Sequence, residues 1–131
     1  MRTVFDVLIS DYTVLEGLWG MRRVRGIAEK SELDCFPVAN NGKIIGALTR
    51  GDLIKSHPNR IVMDAMSGSY KFIGAGESVW KAKKLLDEGN DILIITKEGK
   101  TIGIITKKAI EVEIGKHIDL LTGLYKSDYI I

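Results

Sequence analysis

The stretch Gly46-Ala47-Leu48-Thr49-Arg50-Gly51-Asp52 decides the predicted fold, because a second version of it follows later in the chain. The later version is Gly103-Ile104-Ile105-Thr106-Lys107-Lys108-Ala109, so Gly46 and Gly103 are 57 positions apart, as are Thr49 and Thr106. In both copies the stretch follows an aliphatic run and a turn closed by glycine, which is typical of a β-hairpin. The sequence therefore predicts an internal repeat.

Each half of the chain carries the same order of predicted elements. A helix is expected before each hairpin and a short helical segment after it. In the second half the first helix begins after Ser78 and stops at Gly89. In the first half the helical spacing of apolar residues from Val14 onward predicts a helix that ends near Gly26. Each half is thus β-α-β-β-α and, at about 55–60 residues, too small to close a core alone. The predicted fold class is α+β, with the two repeats packed sheet to sheet.

The composition excludes several classes of protein. The chain has 131 residues, of which 45% are hydrophobic and 27% charged, and its net charge is +2, which is typical of a globular domain. The single cysteine, Cys35, cannot form an internal disulfide and fits a reducing cytoplasm. No metal site, signal peptide or membrane span is predicted. The basic cluster Arg22–Arg25 lacks interleaved aromatic residues, so no nucleic-acid partner is expected.

Three motifs occur in a characteristic order. The second half opens with Val62-Met63-Asp64-Ala65-Met66, which is similar to Val4–Leu8 at the start of the first half. A strand opens with Phe36-Pro37-Val38. The turn is followed by Gly-h-h-Thr-x-x-Asp, in which h is an aliphatic residue. Together these motifs resemble the tandem CBS-domain (Bateman) module over roughly residues 3–114. The resemblance implies a first CBS repeat at 1–57 and a second at 58–114, in a pseudo-two-fold arrangement.

The resemblance also implies a nucleotide subsite at the Gly-h-h-Thr-x-x-Asp segment. Here Gly46 and Thr49 would lie against the phosphate or sugar, Arg50 would pair with a phosphate, and Asp52 would accept hydrogen bonds from the two ribose hydroxyls. The other residues placed at this site by the resemblance are Phe36, Pro37, Val38, Phe72, Ile73, Asn90 and Asp91. A structural alternative stays open, because Thr-x-x-Asp is also the spacing of a helix-capping box.

The second copy of the motif departs from the family pattern. Ala109 stands where the carboxylate of Asp52 stands in the first copy. Without that acceptor a ribose would leave buried hydroxyls poorly paired, which predicts one competent site per chain, the site of Asp52. In addition, Asp34 occupies a position where relatives that bind several phosphates often carry a basic residue. A carboxylate there disfavours a highly phosphorylated ligand.

The predicted function is ligand sensing. No nucleophile–base pair or pair of acids stands at a recognisable spacing, so the chain is not expected to be an enzyme. No cofactor is required, and the implied ligands are AMP, ADP, ATP or S-adenosylmethionine. The family usually forms flat dimers through its helices, which makes Trp19, Trp80 and Leu86 candidates for either an interface or the core. The alternative is a dimerising scaffold whose pocket is vestigial.

The end of the chain suggests an output domain. Asp119-Leu120-Leu121-Thr122-Gly123-Leu124-Tyr125 resembles the opening segment of GGDEF domains, and a helix predicted over 107–117 would connect it to the second repeat. Residues 115–131 are therefore expected to be a connecting helix and the start of a truncated GGDEF-like domain. The motif that names that family is absent, and Lys126-Ser127-Asp128 replaces its usual continuation. A terminal helix interrupted by glycine is the simpler alternative.

Overall fold

The computed structural model describes residues 2–115. The first repeat contains a 3-10 turn (Val4–Asp6), β1 (Leu15–Glu16), α1 (Met21–Glu29), β2 (Cys35–Asn40), β3 (Lys43–Thr49) and α2 (Arg50–Lys55). The second repeat contains α3 (Val62–Ala65), β4 (Tyr70–Gly74), α4 (Val79–Asp87), β5 (Ile92–Lys97) and β6 (Lys100–Thr106). A last helix, α5, covers residues 107–115 of the described chain. The α+β class with two equivalent repeats is confirmed.

Each repeat forms one three-stranded sheet, in the orders β1-β2-β3 and β4-β5-β6. In each sheet the first two strands are parallel and the last two form an antiparallel hairpin. The hairpin turns have positive φ at both central residues, 52° and 79° at Asn41 and Gly42 and 53° and 77° at Glu98 and Gly99. Two successive positive φ angles define the type I′ turn, whose twist matches that of the strands it joins. Both predicted hairpins are confirmed.

The predicted helices of the two halves differ in outcome. In the second half, the Ser78 hydroxyl accepts the Lys81 N–H at 3.1 Å and Gly89 follows the helix with φ of 114°, as the sequence indicated. In the first half, the prediction of a helix from Val14 to about Gly26 is wrong at both ends. Leu15 and Glu16 form β1 and pair with β2, and α1 runs from Met21 to Glu29.

Pairing with β2 explains the late start of α1. The Leu15 side chain is fully buried, and the N–H of Gly17 donates to the Ala39 carbonyl at 2.9 Å, so residues 15–17 follow the strand beside them. Gly20, in extended conformation, then starts the helix. Gly26 lies on the exposed face of α1 with open space around it, and a glycine there weakens a helix without ending it.

The two repeats share their hydrophobic cores. Val4 packs in the core of the second repeat, whereas Val62 and Ala65 pack in the core of the first. A third cluster joins the two sheets and consists of Cys35, Ala47, Ile92, Ile94 and Ile104. The predicted sheet-to-sheet packing is confirmed, and each repeat completes its core with the opening turn of the other.

The three residues proposed for either a dimer interface or the core are now separated. Leu86 is fully buried in the core of the second repeat, and Trp19 packs partly buried against the core of the first. Trp80 is about half-exposed on α4. Within the described residues, no helix has the length and apolarity needed to cross a membrane.

Candidate ligand sites between the two repeats

The segment Gly46–Asp52 folds as the end of a strand followed by a capped helix. The Thr49 hydroxyl accepts the Asp52 N–H at 3.1 Å, and the Thr49 N–H donates to Oδ2 of Asp52 at 2.9 Å. This reciprocal pair is a capping box, which satisfies two backbone N–H groups at the start of α2. The capping box that the spacing Thr-x-x-Asp allowed as an alternative to a ligand contact is therefore present in the molecule. It does not by itself exclude a second use of the carboxylate, which has two oxygens.

Both oxygens of Asp52 also accept hydrogen bonds from Ser67, which precedes β4 in the second repeat. The Ser67 N–H donates to Oδ2 at 2.9 Å and the Ser67 hydroxyl donates to Oδ1 at 2.6 Å. Asp52 is only 5% exposed, and this burial raises the pKa of its carboxyl. The hydrogen bonds from Ser67 and Thr49 outweigh burial, so the pKa lies below its ordinary value. Asp52 is thus a buried carboxylate fully paired within the protein.

The chain on either side of Ser67 closes the space around Asp52. The Gly68 N–H donates to the Ala47 carbonyl at 2.8 Å, and a Cβ on Gly68 would stand only 2.8 Å from that oxygen. The next residue, Ser69, donates its N–H to Oδ2 of Asp91 at 2.8 Å, and its backbone carbonyl accepts the Asp91 N–H at 2.8 Å. We call the space beneath residues 67–69 the Asp52 pocket. It is closed in this structure.

The equivalent position in the second repeat is open. A cleft of about 1220 Å³ lies there, lined by residues of both repeats, and we call it the open cleft. Its lining includes Asp11, Tyr12, Asp34, Arg50, Thr106 and Lys108. Thr106 caps α5 by accepting the Ala109 N–H at 3.3 Å, as Thr49 caps α2. Ala109 has no carboxylate that could bind the segment opposite it, residues 9–11. That segment is paired to the second sheet through a bridge between Ile9 and Ile104.

The structure places Arg50 at the open cleft rather than beside Asp52. Its guanidinium donates to the carbonyls of Ala28 (3.1 Å), Ser31 (2.6 Å) and Leu33 (2.8 Å). These three bonds hold the end of α1 and the residues that connect it to β2, which form one wall of the cleft. Arg50 therefore links the two candidate sites, since its backbone starts the helix that Asp52 caps.

The remaining residues predicted for the ligand site are dispersed. The side chains of Phe36 and Val38 are fully buried in the core of the first repeat, and the side chain of Ile73 lies in the core of the second. A ligand could reach these three residues only through their backbone in this conformation. Gly46 lies under the side chain of Met66, and Pro37 is buried in β2. Phe72 is about half-exposed in β4. The side-chain amide of Asn90 donates to the Leu85 carbonyl.

Sequence reasoning missed Ser67 and Tyr12. Tyr12 and Tyr70 stand 58 positions apart, as do the repeat openings Val4 and Val62, and both tyrosines pack against the cluster between the sheets. That spacing was a usable signal for Tyr12. Ser67 had no such signal, because the repeat places Ile9 at the equivalent position and a serine before a strand is common.

Cys35 lies between the sheets, near both candidate sites. Burial raises the pKa of its thiol to about 12, with smaller contributions from the charges of Asp91, Asp34 and Asp52. A thiol with so high a pKa is protonated at neutral pH and is a poor nucleophile or metal ligand. Among the described residues, no group of three histidine, cysteine, aspartate or glutamate side chains could hold a metal ion.

The fold and the cleft define a pair of interlocked α+β repeats with room for a small molecule between them. The CBS domain model matches residues 4–58 and, a second time, residues 62–114, so the chain belongs to the CBS domain family. The CBS pair is a regulatory module. Neither match reaches residues 119–125, whose resemblance to GGDEF domains falls outside the described residues and gains no support here.

Solved structures of other proteins share this fold. The CBS domains of a transcriptional regulator from Streptococcus pneumoniae match with a TM-score of 0.70 at 17% identity, over 86% of this chain and 98% of that one. A putative acetoin utilization protein from Vibrio cholerae matches with a TM-score of 0.72 at 15% identity, over 94% and 97%. The CBS domain of a bacterial CNNM/CorC family Mg²⁺ transporter, in complex with ATP, matches at 0.74 and 18% identity, over 87% of each chain. At these identities the likeness shows the fold alone.

Proposed function

We propose that this chain is a regulatory module that senses an adenosine-type small molecule bound between its two repeats. The observation that carries the proposal is the open cleft of about 1220 Å³, lined by both repeats. Its volume lies somewhat above the range of about 300–1,000 Å³ that is typical of small-molecule sites. A ligand that contacts both repeats binds one relative setting of them better than another, and this difference in affinity is what a sensor requires.

The lining of the open cleft suits a nucleoside. Tyr12 offers an aromatic face for a purine, and the carboxylates of Asp11 and Asp34 can accept hydrogen bonds from ribose hydroxyls in place of the one that Ala109 lacks. Lys108 lies in the first turn of α5 and can pair with one phosphate.

The charges of the open cleft disfavour several phosphates. More carboxylates than cationic side chains line it. The four carboxylates are those of Asp11, Glu32, Asp34 and Glu113, and the three cationic side chains are those of Lys30, Arg50 and Lys108. A polyphosphate would bring three or more further negative charges into this mixture. We therefore expect AMP or S-adenosylmethionine to bind more tightly than ADP or ATP.

The ribose-clamp role of Asp52 remains part of the proposal, with a condition. Asp52 can accept two ribose hydroxyls only after the Ser67 segment leaves its carboxylate. The ATP complex of the transporter CBS domain supports an adenine nucleotide as the ligand class by analogy of fold. We further propose a cytoplasmic homodimer and an output domain reached through α5, where Glu113 lines the cleft and pairs with Arg2.

The test is a thermal-shift panel of adenosine, AMP, ADP, ATP and S-adenosylmethionine, followed by calorimetry with the best compound. A ligand at 100 times its Kd stabilises the folded state by about 2.7 kcal/mol. We expect Tyr12→Ala to weaken binding at least tenfold, whereas Lys81→Ala, on the exposed face of α4, leaves the affinity unchanged. If Asp52→Asn carries the loss and Tyr12→Ala does not, the ligand occupies the Asp52 pocket instead.

The second candidate function is a structural scaffold. The observation that favours it is the closed Asp52 pocket, in which the carboxylate is fully paired within the protein. Absence of any stabilisation at millimolar concentrations of all five compounds would support the scaffold and contradict the sensor.

A further inference from the structure

We propose that Ser67 is a built-in ligand of Asp52, which latches the second repeat to the first and must be displaced before any small molecule can use that carboxylate. The Ser67 N–H and hydroxyl each occupy one oxygen of Asp52, at 2.9 and 2.6 Å. Asp52 is 5% exposed, whereas Ser67 itself is exposed to solvent. The serine therefore covers the buried carboxylate from the solvent side.

The two halves of the molecule supply an internal comparison for this latch. In the first repeat, Asp52 lies opposite the segment 67–69, and the space between them is closed. In the second repeat, Ala109 takes the place of Asp52, so the opposing segment 9–11 finds no carboxylate at position 109 to which it could donate. The open cleft lies at this position. The two positions share the hairpin, its turn and the capping threonine, whereas the first strand is Leu15–Glu16 in one sheet and Tyr70–Gly74 in the other. The opposing segments also differ in sequence, Ser67-Gly68-Ser69 against Ile9-Ser10-Asp11. The latch attributes the closure to the hydrogen-bonded pair of Asp52 and Ser67, which has no counterpart at Ala109.

The latch also sets a requirement for a ligand of Asp52. Ser67 presents two donors, one to each carboxylate oxygen, as two vicinal hydroxyls would. A molecule with a single donor would displace Ser67 and leave one buried oxygen unpaired, which lowers affinity about ten- to a hundredfold. A free cis-diol, as in ribose, meets the requirement, and a 2′-deoxyribose does not. This step rests on the proposed function, whereas the latch itself does not.

The latch is tested first without any ligand, by urea unfolding of a double-mutant cycle. We expect Ser67→Ala to lower the folding equilibrium constant about tenfold in the wild-type background and less than twofold when Asp52→Ala is already present. Ser69→Ala is the matched control, because the Ser69 hydroxyl makes no hydrogen bond within residues 2–115, and it should change the constant less than twofold. Equal effects of Ser67→Ala in both backgrounds would overturn the latch.

Displacement is tested by titrating adenosine and 2′-deoxyadenosine into each variant by calorimetry. We expect one adenosine per wild-type chain, a second in Ser67→Ala, and loss of that second event in Ser67→Ala combined with Asp52→Asn. With 2′-deoxyadenosine, Ser67→Ala should show no second event. If Ser67→Ala gains no second adenosine although the unfolding cycle shows coupling, Ser67 does not compete with ligands. If no variant binds adenosine, the proposed function fails while the unfolding cycle still decides the latch.

Discussion

At the scale of single residues, Asp52 shows how one side chain can serve two structural purposes. Its Oδ2 closes the capping box with Thr49, and both of its oxygens accept hydrogen bonds from Ser67. The sequence spacing indicated the first partner, because a capping box is a local pattern. The second partner lies 15 residues away and becomes a neighbour only when the two repeats come together.

The pH dependence of stability follows from the lowered pKa of Asp52. The folded-state pKa lies below the unfolded value of about 3.9, so the carboxylate contributes stability that is present above that value and lost as the pH falls through the folded-state pKa. When the pH falls from 5 to 3, we expect the unfolding free energy of Asp52→Asn to decrease less than that of the wild type. Urea unfolding at each pH measures both. Asp64→Asn, on the exposed face of α3, is the control and should follow the wild type. Parallel curves for Asp52→Asn and wild type would contradict the pairing of Asp52.

The high pKa of Cys35 predicts a thiol that does not react in the native state. Burial, supported by the charges of Asp91, Asp34 and Asp52, raises this pKa to about 12. Since the thiolate is the reactive form, we expect a disulfide reagent to modify Cys35 at pH 8 only at the rate of unfolding. The measurement compares modification in buffer with modification in denaturing urea. Complete reaction within seconds in buffer would show that the thiol is accessible.

At the scale of elements, the two hairpins follow their local sequence closely and α1 does not. Glycine-closed turns between aliphatic runs specify their own geometry, because the backbone at Gly42 and Gly99 requires a positive φ that glycine adopts freely. Residues 14–20 have a helical spacing of apolar side chains, yet Leu15 and Glu16 pair with Val38 and Ala39. Burial of Leu15 in the core of the first repeat overrides the local helical preference.

The two turns differ at one position, which gives a prediction about hairpin stability. Glu98 adopts φ of 53°, a conformation that asparagine tolerates better than glutamate and that Asn41 adopts with φ of 52° in the first hairpin. We expect Glu98→Asn to raise the unfolding free energy by about 0.5–1 kcal/mol in urea. The reciprocal change, Asn41→Glu, should lower it by a similar amount. A loss of stability in Glu98→Asn would mean that the glutamate side chain contributes an interaction that offsets its backbone strain.

At the scale of the whole molecule, the repeats are interlocked rather than side by side. Val62 belongs to the second repeat by sequence, is fully buried, and packs in the core of the first, while Val4 does the reverse. The third cluster, between the sheets, adds a contact surface common to both repeats. The two repeats should therefore fold and unfold as one cooperative unit.

A substitution in the exchanged core residues tests this cooperativity. We expect Val62→Ala to lower the unfolding free energy by about 1.5–3 kcal/mol, from lost apolar burial and the cavity left behind. Far-UV circular dichroism and the fluorescence of Trp19 and Trp80, one in each repeat, should report one coincident transition. Val112→Ala, about half-exposed on α5, is the control and should change stability by less than 1 kcal/mol. Two separate transitions would show that each repeat is stable on its own.

The sequence by itself determined the repeat, the hairpins and their turns, the helix cap at Ser78 and the family, and it left the cap at Thr49 open beside a ligand contact. The turns and the caps depend on contacts between residues near one another in the chain, and the repeat and the family are patterns of residue spacing that the sequence records directly. Only the tertiary structure decided β1, the exchange of opening turns between cores, the position of Arg50, and the contrast between the closed Asp52 pocket and the open cleft. Those features depend on which side chains meet across the two repeats. The Gly46–Asp52 stretch therefore led to the prediction of a site between the repeats, whereas the pairing of Asp52 with Ser67 depends on a contact between the repeats that only the folded chain makes.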